Sequence, residues 1–502
     1  MIEDRVAYLE ELKQLAINGF EKYRPAFVKL NSAYLLFLEE MQLQSLKDRN
    51  KSRNFIPKLN SKAKRIYDGL TETYFNNDKF AKLEPYINST NDVIDKWQEA
   101  IDHYTTFVNL YKVFAPIFLK ASFSPTCIVK VYWSGERVAI DEVAIDEIFF
   151  DPMAKNIDNI NYIVHKIYLT KEDIKRYAKA KIFKIEADER FYEAKEYERF
   201  ELYEIYEKTS GKWYVSTLFE SSLLRDKVEL KDGQPFVFGY MLPQVKAMDE
   251  DDYVCAYGEP ALASMMPLQD EINVTRNSII DVIREQTARK LIVPKSMQVS
   301  RVDLERVGAP IYADEPSRIV PLPTGDISGA MASLQVIENE MSEVSGVSPQ
   351  QNGATTVRKE TATMASIMAN EGSVRLQGYI RTFNETFFEP IFERLAFLVW
   401  KYGDPIFFAG FNRGEVPSFR VNLNTGIGAL NKEVQKKSLM DVGGLINAQF
   451  GMCLQIGDQE GAIMMKEASK KLLLELLPLY GIKNASEYIG ETNKLEQKLL
   501  CV

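Results

Sequence analysis

The stretch GEPALASMMPLQDEINVTRNSIIDVIREQTARK, Gly258 to Lys290, decides how the rest of this chain is read. Ala261, Met265, Leu268, Ile272, Ile279 and Ile283 recur at helical spacing, which predicts one amphipathic helix opened by Pro260 near its first turn. A compact excursion rich in proline and β-formers follows: LIVP, a short helical SRVDLERVG, PIYADEP and RIVPLP. A second helix then starts near Asp326 or Ser328, with Met331, Leu334, Ile337, Met341 and Val344 on its apolar side. Two helices flanking a small mixed module return antiparallel in the most economical geometry.

Downstream, Ser345 to Lys359 (SGVSPQQNGATTVRK) reads as a polar loop containing Asn352-Gly353 and ending on the basic pair Arg358-Lys359. A long helix is expected from about Lys359 to Tyr402. Ala362, Ala365, Ala369, Gly372 and Leu376, then Tyr379 and Phe383, form one stripe that starts small and grows bulky. Small residues let another backbone approach closely, as in a ring of identical helices; a buried helix in an ordinary core explains the stripe equally well. Pro390 must kink or interrupt the helix. Unbroken, it would run roughly 66 Å, long for a monomeric domain. Two strand-like runs, PIFFAG and SFRVNLN, come next, then a helical region from Asn431 to the end.

Upstream, residues 2 to 46 show helical spacing interrupted near Pro25, and Asp92 to Lys120 reads as helical and aromatic-rich. The pattern then switches to period two through CIVKVYW, a Ser134-Gly135 turn, RVAIDEVAIDEIFFDP and NYIVHKIYL. A helical LTKEDIKRYAKAK with Thr170 as N-cap interrupts further strands in RFELYEIYEK, KWYVSTLFE and SLLRDKVEL. Ser122 to Gln244 is therefore an α+β block. Between Lys47 and Arg65 lie eight basic residues against one acid, a local basic patch in an acidic protein. It reads as a solvated face or as a contact with phosphates or an acidic partner.

The totals exclude more than they select. The chain has 502 residues, 46% of them apolar, as in a folded multidomain protein. Its net charge of −9 argues against a general nucleic-acid binder. The most apolar run, FFEPIFERLAFLVW, is broken by charges and Pro390, so no membrane span is expected. The start, MIEDRVAYLEELK, lacks the pattern of a signal peptide. Four dispersed cysteines suggest reduced thiols and no zinc framework. Only two histidines exist, His103 and His165, and no phosphate loop, dinucleotide fingerprint or nucleophile elbow appears. His165 fits an ordinary strand position. No catalytic residue, metal or cofactor is expected, and no enzyme.

Three fragments in order carry a family resemblance: DEIFFDPMAKNIDNINYIVHKIYLTKEDI, YGEPALASMMPLQDEINVTRNSIID, and VSGVSPQQNG followed by ETATMASIMANEGSVRLQGYIRTFNETFFEPIFERL. Together they resemble the portal proteins of tailed bacteriophages, or head-to-tail connectors, most closely those of short-tailed phages. The resemblance spans roughly residues 50 to 430.

It implies an α+β, mostly helical chain assembled as a ring, commonly of twelve subunits, at one capsid vertex. Residues 1–257 would hold the N-terminal helices and α/β wing, 258–288 and 326–346 the two stem helices, and 289–325 a small mixed clip. Residues 347–358 would be a tunnel loop, 359–429 the long kinked wing helix with returning strands, and 430–502 a helical crown. Double-stranded DNA would pass independently of sequence. The terminase packaging motor, a tail adaptor and the major capsid protein would be partners, in the virion and, during assembly, the host cytoplasm. Asn352, Arg358, Lys359 and Arg375 would touch DNA, while Glu338, Glu340 and Glu343 would keep the channel wall from holding it. The basic pair could equally meet intersubunit carboxylates such as Glu343 or Glu360. The clip strands are expected to pair with neighbouring subunits. A tail adaptor or internal scaffold is the alternative, but neither explains the order of helix, excursion, helix, loop and long helix.

Overall fold

The computed structural model describes residues 2–35, 52–75, 81–86, 91–184, 195, 197–245, 253–287, 291–292, 320–321, 327–345, 376–411, 413–414, 416–423 and 432–479. The chain divides into two compact units, Met1–Tyr67 with Phe107–Leu398, and Asp68–Thr106 with Val399–Val502.

The first unit opens with α1 (Ile2–Glu21) and α2 (Arg24–Leu35), and Pro25 sits in the first turn of α2, where its missing N–H costs nothing. After α3 (Lys58–Phe75), β1 (Ala81–Pro85) and α4 (Asn91–Phe107), the expected single aromatic helix breaks at Asn109. The Asn109 side chain accepts the Lys112 N–H at 3.0 Å and starts α5 (Leu110–Ala121).

Two antiparallel sheets follow. One has the order β3-β2-β9, from Arg137–Val143, Cys127–Ser134 and Phe236–Gly239. The other runs β4-β5-β6-β7-β8, from Ile148–Phe150, Tyr162–Thr170, Arg199–Thr209, Lys212–Phe219 and Ser222–Leu230. The β2–β3 hairpin turns at Ser134-Gly135 as the sequence suggests, with Gly135 at φ +68°. RVAIDEVAIDEIFF, read as one run, breaks after Val143, so β3 and β4 enter different sheets.

The sheets share a core. Phe150 of β4 meets Phe238 of β9 at 4.7 Å between ring centroids, and Phe20 of α1 covers Phe149 at 5.4 Å. Thr170 forms a full capping box with Asp173 at the start of α6 (Lys171–Lys179). Ile174 of that helix closes a smaller core over Phe200, Leu202 and Phe219.

Later in the unit come α7 (Met266–Thr287), β10 (Leu291–Ile292), β11 (Val320–Pro321) and α8 (Ser328–Ser345). Residues 376–383 are helical, Asn384–Phe388 form a π-turn, and α9 (Glu389–Tyr402) continues. Pro390 thus has the expected effect, as a widened turn: it has no N–H to return to the preceding turn. Thr386, inside the π-turn, accepts the Tyr240 N–H at 3.2 Å through Oγ1, and its one hydroxyl proton faces Thr382 O at 2.8 Å and Tyr240 O at 3.1 Å. Phe383, Phe387 and Phe388 are buried, and Phe388 stands 5.1 Å from Phe114 of α5. Arg394 donates from Nε to Val131 O at 2.7 Å and from a guanidinium nitrogen to Asp232 O at 3.1 Å. Burial lowers it to about 10, which leaves it charged at neutral pH.

In the second unit β1 pairs antiparallel with β12 (Phe419–Leu423). Trp97 packs on Trp400 at 5.0 Å and on Phe419 at 4.7 Å. PIFFAG, expected as a strand, is a 3-10 turn over Pro405–Phe408. The Asp404 carboxylate accepts the Ile406 N–H at 2.9 Å, and Pro405 pre-sets the first turn. A helical hairpin of α10 (Lys432–Ile456) and α11 (Gln459–Leu479) completes the unit.

Candidate channel elements

The decisive helix begins later than its sequence suggests. Glu259 forms an isolated bridge with Leu242, donating its N–H to Leu242 O at 3.0 Å. Ala263–Met265 then make a 3-10 turn before α7 starts at Met266, with Pro267 in its first turn. The bridge holds Gly258–Glu259 away from helical geometry, so Pro267, rather than Pro260, takes the helix-opening role.

Ile272 and Ile279 of α7 are buried, as are Ile337 and Met341 of α8. Ile283 and Met331, predicted for the same apolar faces, are 41% and 52% exposed, and Val274 and Val336 are 67% and 54% exposed. These helices are therefore not sealed within their own chain. β10 and β11 pair antiparallel, Leu291 with Pro321 and Ile292 with Val320, and so close the base of the excursion within one chain. Residues 293–319, where pairing with neighbours is expected, lie outside the described residues.

Segment 52–57 and the start of α3 bind both helices. The Ile56 and Leu59 N–H groups donate to Asn273 Oδ1 and Gln269 Oε1 of α7, at 3.0 and 2.9 Å. Lys58 meets Glu338 of α8 at 2.6 Å, and Lys62 donates to Ser342 Oγ at 3.3 Å. The N-terminal half of α7 thus lies beside the C-terminal half of α8, which is the antiparallel return. These contacts also give part of the basic patch a plain role, since Lys58 and Lys62 face α8. Burial lowers the Lys62 ammonium to about 8, with Lys58 adding to the effect and Glu338 opposing it.

The three acids placed on the channel wall, Glu338, Glu340 and Glu343, are all exposed on α8, and Glu338 is ion-paired with Lys58. Asn352, Arg358, Lys359, Arg375, Ala362, Ala365, Ala369 and Gly372 lie outside the described residues. Leu376 is half-buried, and Tyr379 and Phe383, next along its stripe, are buried.

The most concentrated buried charge lies in the sheets, and sequence reading missed it. Glu204 of β6 receives the Tyr206 hydroxyl at 2.7 Å and Arg225 of β8 at 2.7 Å. Lys130 of β2 lies 3.3 Å away and His165 Nδ1 3.5 Å away. Burial opposes its charge, but Lys130, His165 and Arg225 outweigh burial and hold Glu204 well below the usual carboxylate range. His165 occupies the strand position the sequence suggests. Lys130 comes from one sheet and Glu204, His165 and Arg225 from the other, so the cluster joins the two layers. Alternation along each strand could have flagged Glu204 as inward-facing, but not its partners.

Among the described residues no group of three His, Cys, Asp or Glu could hold a metal ion, and no helix is long and apolar enough to cross a membrane. No curated protein matches the chain. The family model described as Phage SU10 portal protein matches residues 134–498, beginning at the β2–β3 turn and running through β3 to β9, α7, α8, α9 and the α10–α11 hairpin. That match covers well over half of the sequence, and the chain belongs to the phage portal proteins, in the family of the phage SU10 portal protein.

Proposed function

We propose that copies of this chain form a closed ring at one capsid vertex, and that double-stranded DNA passes through its centre during packaging and ejection. The family match over residues 134–498 carries this reading. The exposed apolar residues Val274, Ile283, Met331 and Val336 support it, because neighbouring copies would cover them in a ring. We assign α7 and α8 to the stem, the excursion between them to the clip that docks the packaging motor and then the tail adaptor, and α10–α11 to a crown. Twelve subunits is the proposed stoichiometry.

Glu340 and Glu343 are proposed to face the channel and repel DNA phosphates, which suits sliding better than holding. Arg358 and Lys359 are proposed to touch the passing backbone transiently, without reading bases. Native mass measurement of the purified chain tests the assembly: a closed oligomer near twelve copies supports it, and a monomer at micromolar concentration counts against it. The double substitution Arg358→Ala, Lys359→Ala in assembled particles tests the DNA contact. Intact rings with slowed packaging or leaking DNA support it; loss of the ring assigns the pair to subunit contacts; no change removes the role.

A further inference from the structure

A polar row runs along α7. Gln269, Asn273, Asn277 and Asp281 stand four residues apart, so each step along the row rises about 6 Å. Segment 52–57, which has no helix or strand of its own, lies against it. Ser52 N–H donates to Asp281 Oδ1 at 2.7 Å, Asn54 N–H to Asn277 Oδ1 at 2.7 Å, and Ile56 N–H to Asn273 Oδ1 at 3.0 Å. In return Asn277 Nδ2 donates to Asn54 O at 2.9 Å and Gln269 Nε2 to Ile56 O at 2.7 Å. Two residues of extended chain advance about 6.6 Å, close to one step of the row. Every second backbone N–H therefore meets every fourth side chain. The row recognises main-chain groups and ignores the side chains of the segment.

The two ends of the segment are held differently. From Leu59 onward the chain is anchored by apolar burial, with Leu59, Ala63 and Ile66 all at 1% exposure or less. Within residues 52–57 no apolar side chain is fully buried: Phe55 and Ile56 are only half-covered. Ser52 is buried, yet its hydroxyl has no hydrogen-bond partner among the described residues, which favours opening at that end. Pro57 lies between the two regimes and has no N–H to lose when the chain lifts.

We propose that residues 52–57 are a releasable strap: the amide row of α7 holds them, they hinge at Pro57, and they open while the rest of the chain stays folded. Closed, the strap and the α3 contacts with Glu338 and Ser342 keep α7 in fixed register with α8. Opened, it uncovers Asn273, Asn277 and Asp281 of α7, while the Leu59, Lys58 and Lys62 contacts of α3 remain. The inference rests on these hydrogen bonds and on the change in burial across Pro57, and stands whether or not the chain forms a channel.

Hydrogen exchange of the full chain, followed by mass spectrometry across low denaturant concentrations, tests it. The strap should exchange through an opening insensitive to denaturant, while α3 exchanges only with larger unfolding. Asn273→Ala with Asn277→Ala removes three of the hydrogen bonds and should speed strap exchange by about ten- to a hundredfold, leaving residues 63–75 unchanged. If that variant fails to fold, Asp281→Ala should speed exchange at Ser52 alone by about tenfold. Strap exchange that tracks α3 at every denaturant concentration would overturn the proposal, as would a variant that fails to change it.

Discussion

At the residue scale, close approach and buried charge set the sharpest constraints. Gly239, the last residue of β9, lies against the π-turn, and a Cβ there would come within 2.8 Å of the Thr386 backbone. Gly239→Ala must push the helix off the sheet, and a loss on the order of 2 kcal/mol is expected, read as a lower thermal midpoint. Glu204→Gln leaves the half-buried Lys130 and Arg225 without their anion and should cost about 3 kcal/mol in denaturant unfolding. The folded value of Glu204 is depressed, so its stabilisation is present above the ordinary value of 4.5 and is lost as pH falls toward the folded one. The variant should therefore show a flatter acid limb below that pH. Lys62 behaves oppositely. Its folded value is about 8 against 10.5, so burial opposes folding while the ammonium is charged, and stability rises as pH climbs between those values. Lys62→Met should flatten that rise and stabilise the protein by about 1 kcal/mol at neutral pH, measured by denaturant midpoint.

At the element scale, local signals were legible and distant partnerships were not. Thr170, the Ser134-Gly135 turn and the interruption at Pro390 rest on chemistry within a few residues, and each element forms there. Gly258 to Thr287 misled at its start because a bridge from Leu242, distant in sequence, holds Glu259 extended. PIFFAG has strand-like composition, yet Asp404 immediately before it and Pro405, its first residue, impose a turn. The Gln269 to Asp281 row was not singled out in the sequence, and its meaning depends on a segment more than two hundred residues upstream. The π-turn yields a further prediction. Thr386→Val removes the oxygen that accepts the Tyr240 N–H while keeping the shape, and should cost about 1 to 2 kcal/mol in unfolding while raising exchange at the Tyr240 amide.

At the scale of the whole molecule, the order of elements was the most legible feature, and it led to the family that the match over residues 134–498 establishes. The candidate site was less legible. Glu338, Glu340 and Glu343 all stand exposed on α8, and Glu338 is drawn into an ion pair by a lysine that only the fold brings near. Which faces of α7 and α8 meet neighbours, and which meet DNA, is a property of the assembly. Electron cryomicroscopy of the purified chain, at a resolution that separates helices, tests it most directly. The account predicts a closed ring around an open channel, with α7 and α8 packed between neighbours through Val274, Ile283, Met331 and Val336, and with Glu340 and Glu343 turned to the lumen. A monomer, or a ring in which those four apolar residues stay exposed and both acids point away from the axis, would contradict it.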